Sequence, residues 1–185
     1  MGKIEVFVKQ EIAMKDYILL LPIIFIFHDM EEIIGFEWFF RKNPDLFDRF
    51  PKVMKAYRNF TTAGMALAVY EEFIPFFGLS LIAYYFPCSI LNAIWLGIFI
   101  SFTAHLLVHI GQTLYIRKYI PSFITSTICL PLSIAIIFKC ASLMTFSAAS
   151  VICIFAAFLF MMVNLRIAHC LMHYFNKKTS GKAEA

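Results

Sequence analysis

Charge is what this sequence has least of. Only 15% of its 185 residues are Asp, Glu, Lys or Arg and 61% are hydrophobic, whereas a soluble domain carries about a quarter charged residues. A soluble globular class is thereby excluded, and the chain reads as a polytopic membrane protein with no room for a separate soluble module. Cysteine pairing is absent as well. Cys88, Cys129, Cys140, Cys153 and Cys170 are scattered with no CxxC spacing, which argues against a thiolate metal site and for small apolar packing residues. The first apolar run lacks a small-residue cleavage site and is too long for a signal peptide. An inverted repeat is also missing, which weighs against a secondary transporter. The net charge of +4 does not point to nucleic acid, because the basic residues sit at the edges of apolar runs.

What is present is a series of such runs. The sequence predicts an all-α bundle of about five transmembrane helices. Its spans are Tyr17 to Phe40, Phe60 to Phe86, Ile90 to Ile116, Phe123 to Lys139 and Leu143 to Tyr174. Residues 1–16 form an interfacial N-terminal segment, 17–175 a single transmembrane domain and 176–185 a disordered tail. In the first loop, Asn43-Pro44 and Phe50-Pro51 break helices, and Phe47, Phe50, Met54 and Tyr57 suit an amphipathic helix lying on the membrane surface. Pro131 is expected to kink the fourth span. Arg41, Lys42, Arg49, Lys52, Lys55 and Arg58 crowd that same first loop. Arg117 and Lys118 follow the third span, and Lys177 and Lys178 the fifth. The basic bias places these ends in the cytoplasm and the N-terminus outside.

Against this background, His28-Asp29-Met30-Glu31-Glu32 interrupts the first span. His28, Glu31 and Glu32 stand at i, i+3 and i+4, on one helix face. A charged side chain at such depth costs roughly 2.5–3.5 kcal/mol on insertion scales, so the carboxylates must be compensated by partners. Glu71 and Glu72 lie near the middle of the second span, and His105, His109 and Gln112 form a stripe at i, i+4 and i+7 on the third. At about 1.5 Å rise per residue, His28, Glu71 and Glu72 fall within roughly 3 Å of the midplane. By the same rise Glu31, Glu32 and His105 lie roughly 3–6 Å to the cytoplasmic side, with His109 and Asn164 a few ångströms further. Polar groups from four antiparallel spans thus converge on one level. Two histidines one turn apart suit a single metal ion, and a nitrogen-and-oxygen donor set suits zinc, iron or manganese. Paired glutamates on two spans also leave open a carboxylate-bridged two-metal centre. Glu37 and Arg41, at i and i+4, read as an interfacial ion pair. His169 and His173 read as headgroup-level side chains, and Arg166 as a residue that snorkels or neutralises a carboxylate.

These residues carry a resemblance. His28-Asp29-Met30-Glu31-Glu32 resembles the motif that names the HXXEE-domain family of mostly bacterial integral membrane proteins. His105-Leu-Leu-Val-His109-Ile-Gly-Gln112, followed by Arg117-Lys-Tyr119-Ile-Pro121, is similar to that family's second block. After the proline a glycine is expected, and here Ser122 stands. The resemblance implies a multi-span protein of a bacterial cytoplasmic membrane with a metal or catalytic site at His28, Glu31, Glu32 and His109. Prenyl-processing intramembrane proteases also carry paired glutamates, followed four residues on by Arg. The equivalent positions here are Phe36 and Phe76.

The leading expectation is a membrane-embedded metal-dependent hydrolase acting on a lipid or membrane peptide. Zinc is favoured over iron or manganese as the divalent metal. The expected ligands are His28, His105 and His109 with Glu32 or Glu72, and Glu31 or Glu32 is the expected general base. Glu71, Gln112, Asn164, Arg117 and Tyr119 are candidates to support the site or meet substrate. A di-iron oxidoreductase acting on a lipid chain is one rival. A proton- or metal-coupled transporter or relay is the other.

Overall fold

The computed structural model describes residues 12–57 and 59–180. All regular structure among them is helical. Residues 12–18 are helical and pass through Leu19 into α1 (Leu20–Lys42). Then come α2 (Asp45–Arg49), α3 (Pro51–Met54) and a 3-10 turn (Lys55–Tyr57), followed by α4 (Thr62–Tyr85), α5 (Ser89–Ile116), α6 (Phe123–Leu143) and α7 (Ala148–Ser180). Four of these, α4, α5, α6 and α7, are long and apolar enough to cross a membrane. Their outward faces carry a belt of exposed apolar residues, among them Phe138, Ile152, Phe155 and Leu159, as expected where the solvent is lipid. The chain is an integral membrane protein, all-helical among the described residues. α1 has the length of a span but carries Asp29, Glu31, Glu32 and Glu37.

α5 is the spine. Its buried face includes Trp95, Leu96, Ile98, Phe99, Phe102 and Leu106, and it packs chiefly on α7 and α6. Gly97 permits a close approach of the two helices: a Cβ there would clash with the Ile154 carbonyl oxygen of α7. α1 packs instead on α4 and α6. The helical segment that leads into it is held by Trp95, whose Nε1 donates to the Ile18 carbonyl at 3.0 Å. Pro75 and Pro131 both lie inside helices that continue past them.

Three boundary expectations change. The first loop is two short helices and a turn rather than one surface helix, because Phe50 leaves helical geometry at φ −130°, ψ 55° and Pro51 starts a new helix. Its apolar residues turn inward: Leu46 and Met54 are buried, and the Phe40 ring meets those of Phe47 and Tyr57 at 5.7 and 5.0 Å. The last helix begins at Ala148 and runs through Ser180, past the point where a tail was expected. The segment before Ile12 lies outside the described residues, as does the chain beyond Ser180.

Two carboxylates of α1 cap other helices. Glu37 Oε2 accepts from the Thr62 backbone N–H at 2.7 Å and from its hydroxyl at 2.5 Å, at the start of α4. Glu31 Oε2 accepts from the Thr125 N–H at 2.8 Å and Oε1 from the Ile124 N–H at 3.4 Å, at the start of α6. A helix N-terminus offers unpaired N–H groups and a partial positive charge. Such a cap is worth about 1 kcal/mol. These bonds set the rotation of α1 against its neighbours, which decides the residues it turns toward α5.

Candidate metal centre

That rotation points His28 and Glu32 at α5. Both are buried, as is His109. One nitrogen from each of His28, His105 and His109 and one Glu32 oxygen all lie within 4.8 Å of one another. His109 Nε2 is 2.7 Å from His105 Nε2 and 2.8 Å from Glu32 Oε1, and His28 Nε2 is 3.8 Å from the same oxygen. Yet Glu32 Oε1 and His28 Nε2 have no hydrogen-bond partner among the described residues. The 2.8 Å contact is therefore a close approach outside hydrogen-bond geometry. Around a tetrahedral zinc with bonds of about 2.0–2.2 Å, neighbouring ligand atoms stand about 3.3 Å apart. The observed separations bracket that value. Buried polar atoms without partners cost about 1–3 kcal/mol each, and a divalent cation held by this donor set would supply the missing partners.

The protonation of His28 can be traced outward. Its Nδ1 lies 2.9 Å from Thr125 Oγ1. That hydroxyl has a single proton, and its shortest acceptor is Glu31 Oε2 at 2.6 Å; the His28 and Ser122 carbonyls are each at 3.4 Å. Thr125 thus donates to Glu31 and accepts from His28 Nδ1–H. The proton on Nδ1 leaves Nε2 with its lone pair facing the cluster, the tautomer a metal ligand needs.

Glu31 also accepts the hydroxyl of Tyr119. Burial and this bond push the Tyr119 phenol up to about 12, so it stays a donor. Tyr119 reaches Glu31 because Gly35 lets the following loop lie against α1: a Cβ there would meet Pro121 Cβ at 2.5 Å. After Pro121 the backbone turns through Ser122 at φ 120°, the region glycine tolerates without strain. Lys118 clamps the loop from the other side, donating to Asn43 Oδ1 at 2.9 Å and to both Asp45 oxygens at 3.0 Å.

A polar cavity of about 100 Å³ adjoins the cluster. Asp29, Glu32, Glu72, His105, His109 and His169 line it together with Gln112 and Tyr57. Asp29 is buried, and Asp29 Oδ2 and Glu72 Oε1 have no hydrogen-bond partner among the described residues. The two paired glutamates separate in space. Glu72 faces the cavity, while Glu71 Oε2 accepts from Asn164 Nδ2 at 3.3 Å.

The expected residues therefore divide. His28, Glu32, His105 and His109 come together. Glu72 borders them without joining the four-atom group, Gln112 lines the cavity, and Asn164 supports Glu71. Glu31 is turned to the N-terminus of α6, two bonds behind His28, so it is not placed to act as a base at the cluster. Arg117 caps the C-terminus of α5 in a left-handed conformation and is exposed. Glu37 does pair with Arg41, at 2.5 Å. His169 lines the cavity and meets Tyr57 with ring centroids 6.3 Å apart, whereas His173 is exposed. Sequence reasoning passed over Asp29, although it lies inside the motif, and Thr125, whose only sequence signal was its place at the start of a helix.

Fold and site together define a helical membrane protein with a buried cluster of three histidines and a glutamate able to hold a metal ion. A family model described as "Protein of unknown function with HXXEE motif" matches residues 19–136, more than half of the chain, and the chain belongs to that family. No curated protein and no solved structure matches it.

Proposed function

We propose that this protein is a membrane-embedded metal-dependent hydrolase that holds one divalent ion, zinc first and iron or manganese next, on His28, Glu32, His105 and His109. The supporting observation is the convergence of four ligand atoms within 4.8 Å, two of them buried and unpartnered. On this reading α1 is a fifth span. Its 23 residues reach about 34 Å, and two of its four carboxylates, Glu31 and Glu37, are hydrogen-bonded. The basic first loop and C-terminal end lie in the cytoplasm and the N-terminus outside.

When bound, such an ion polarises a carbonyl and lowers the pKa of water to about 7. The chain's own residues do the rest. Thr125 and Glu31 hold His28 in the tautomer that presents Nε2. Glu72, which has an unpartnered oxygen and lines the same cavity as His105, accepts the proton given up by a water in that cavity, the role of a general base. Asp29 keeps that cavity polar at a depth where lipid surrounds the bundle. The substrate is a lipid or membrane peptide, because the site lies among spans. Asp29 and Glu72, two further carboxylates lining the same cavity, support a second reading as a two-metal oxidoreductase.

Elemental analysis of detergent-purified protein beside His28→Ala and His109→Ala tests the reading. About one zinc per chain, lost in both variants, is the expected result for a single-ion centre. About two irons per chain moves the assignment to redox chemistry. Folded wild type that takes up neither zinc, iron nor manganese refutes the metal centre.

A further inference from the structure

A second, larger cavity of about 260 Å³ lies against the first. Phe25, Phe76, Phe102, Phe158, Met161 and Met162 form half of its lining. Glu72, His105, Val108 and Leu165 line both cavities, so the apolar space ends at the polar cluster. An apolar cavity of about 150 Å³ already binds benzene, and this one is larger. Val108 and Met162 are about half exposed, at 54% and 47%, on the apolar outer surface, so the cavity opens sideways. Ser101 to Val108 fall within about 9 Å of the midpoint of α5 at 1.5 Å per residue, which puts the mouth at the depth of acyl chains rather than headgroups.

We propose that this cavity binds a single unbranched aliphatic chain, which enters from the bilayer and brings a polar end to Glu72 and His105. The assignment rests on the hydrolase reading for the chemistry at that end, but the chain's binding needs no metal. Four aromatic rings and two methionines offer dispersion contacts and adaptable packing, and apart from Glu72 and His105 at its polar end the wall carries one polar side chain, Ser101. A peptide segment would bring backbone N–H and C=O groups that this wall leaves unpaired, at several kcal/mol for each unsatisfied group in hydrocarbon. An aliphatic chain brings none.

The test is photolabelling of the full-length protein in detergent with a hexadecyl alcohol bearing a mid-chain diazirine, mapped by mass spectrometry. Metal content is measured on the same samples. Label on the segments holding Phe76, Phe102 and Phe158 to Met162, competed by plain hexadecanol, is expected. Ala104→Phe fills part of the cavity. Each excluded methylene lowers affinity about fourfold, so labelling at these segments should fall about tenfold with metal content unchanged. Label confined to outer faces such as Phe138 and Phe155 overturns the proposal on the wild type alone, whether or not the variant folds. Stronger protection by an apolar peptide than by hexadecanol overturns it in favour of a peptide. Cavity labelling in protein that binds no metal keeps the chain site and removes the hydrolase.

Discussion

Replacing Thr125 by Val isolates the link between the helix cap and the cluster. The two side chains are close in shape, so the change removes a hydroxyl and little volume. That hydroxyl accepts from His28 Nδ1 at 2.9 Å and donates to Glu31 at 2.6 Å. Without it a buried N–H on His28 loses its partner, at a cost of about 1–3 kcal/mol. The ring can escape part of this cost by moving its proton to Nε2, which then offers no lone pair to a metal. Outer partners of metal-binding histidines typically contribute 10–100-fold in affinity. Thr125→Val should therefore bind zinc about 10–100-fold more weakly, equivalent to about 1.4–2.7 kcal/mol. Thr125→Ser keeps the hydroxyl and should stay close to wild type. Chelator competition on purified protein measures the affinity, and thermal unfolding of the metal-free forms reports stability separately. Equal affinities for wild type and Thr125→Val would refute the relay. An equal loss in Thr125→Ser would show that packing, not the hydroxyl, is what matters.

Other consequences concern the loop that carries Tyr119. Gly35→Ala places a methyl 2.5 Å from Pro121 Cβ; overpacking of this kind costs about 1–3 kcal/mol, seen as a lower unfolding midpoint and faster proteolysis of the 117–122 loop. Ser122→Gly should do the opposite, since relieving φ 120° removes strain of about 1 kcal/mol, and a lowered midpoint would refute the strain argument. Asp45 is held below its ordinary value by the hydrogen bond from Lys118 and by that ammonium's charge. A depressed carboxylate contributes stability above its unfolded pKa and loses it as pH falls through the folded one. Hydrogen exchange in the first loop should therefore rise as pH drops below about 4, after correction for the intrinsic rate. Asp45→Asn should remove that dependence.

How much of this could be read from the chain differs residue by residue. His28, Glu32, His105 and His109 are related by i, i+4 spacing on two helices, and helix periodicity alone puts each pair on one face. Scarcity of charge made those faces conspicuous. Glu31 and Glu32 are a harder case. Adjacent residues point about 100° apart on a helix, and nothing local says which of the two meets α5. Glu37 and Glu31, by capping α4 and α6, set the rotation that turns Glu32 inward. The same ambiguity between Glu71 and Glu72 was settled by Asn164, on another helix.

By itself, then, the sequence determined the class of protein, the helices and the residue types that would meet at one depth, because hydropathy and helical period act over a few turns of chain. Tertiary structure alone decided which carboxylates face the cluster and that Thr125 orients His28. It alone placed an apolar cavity beside the polar one, since each of these depends on the rotation and spacing of helices far apart in the chain.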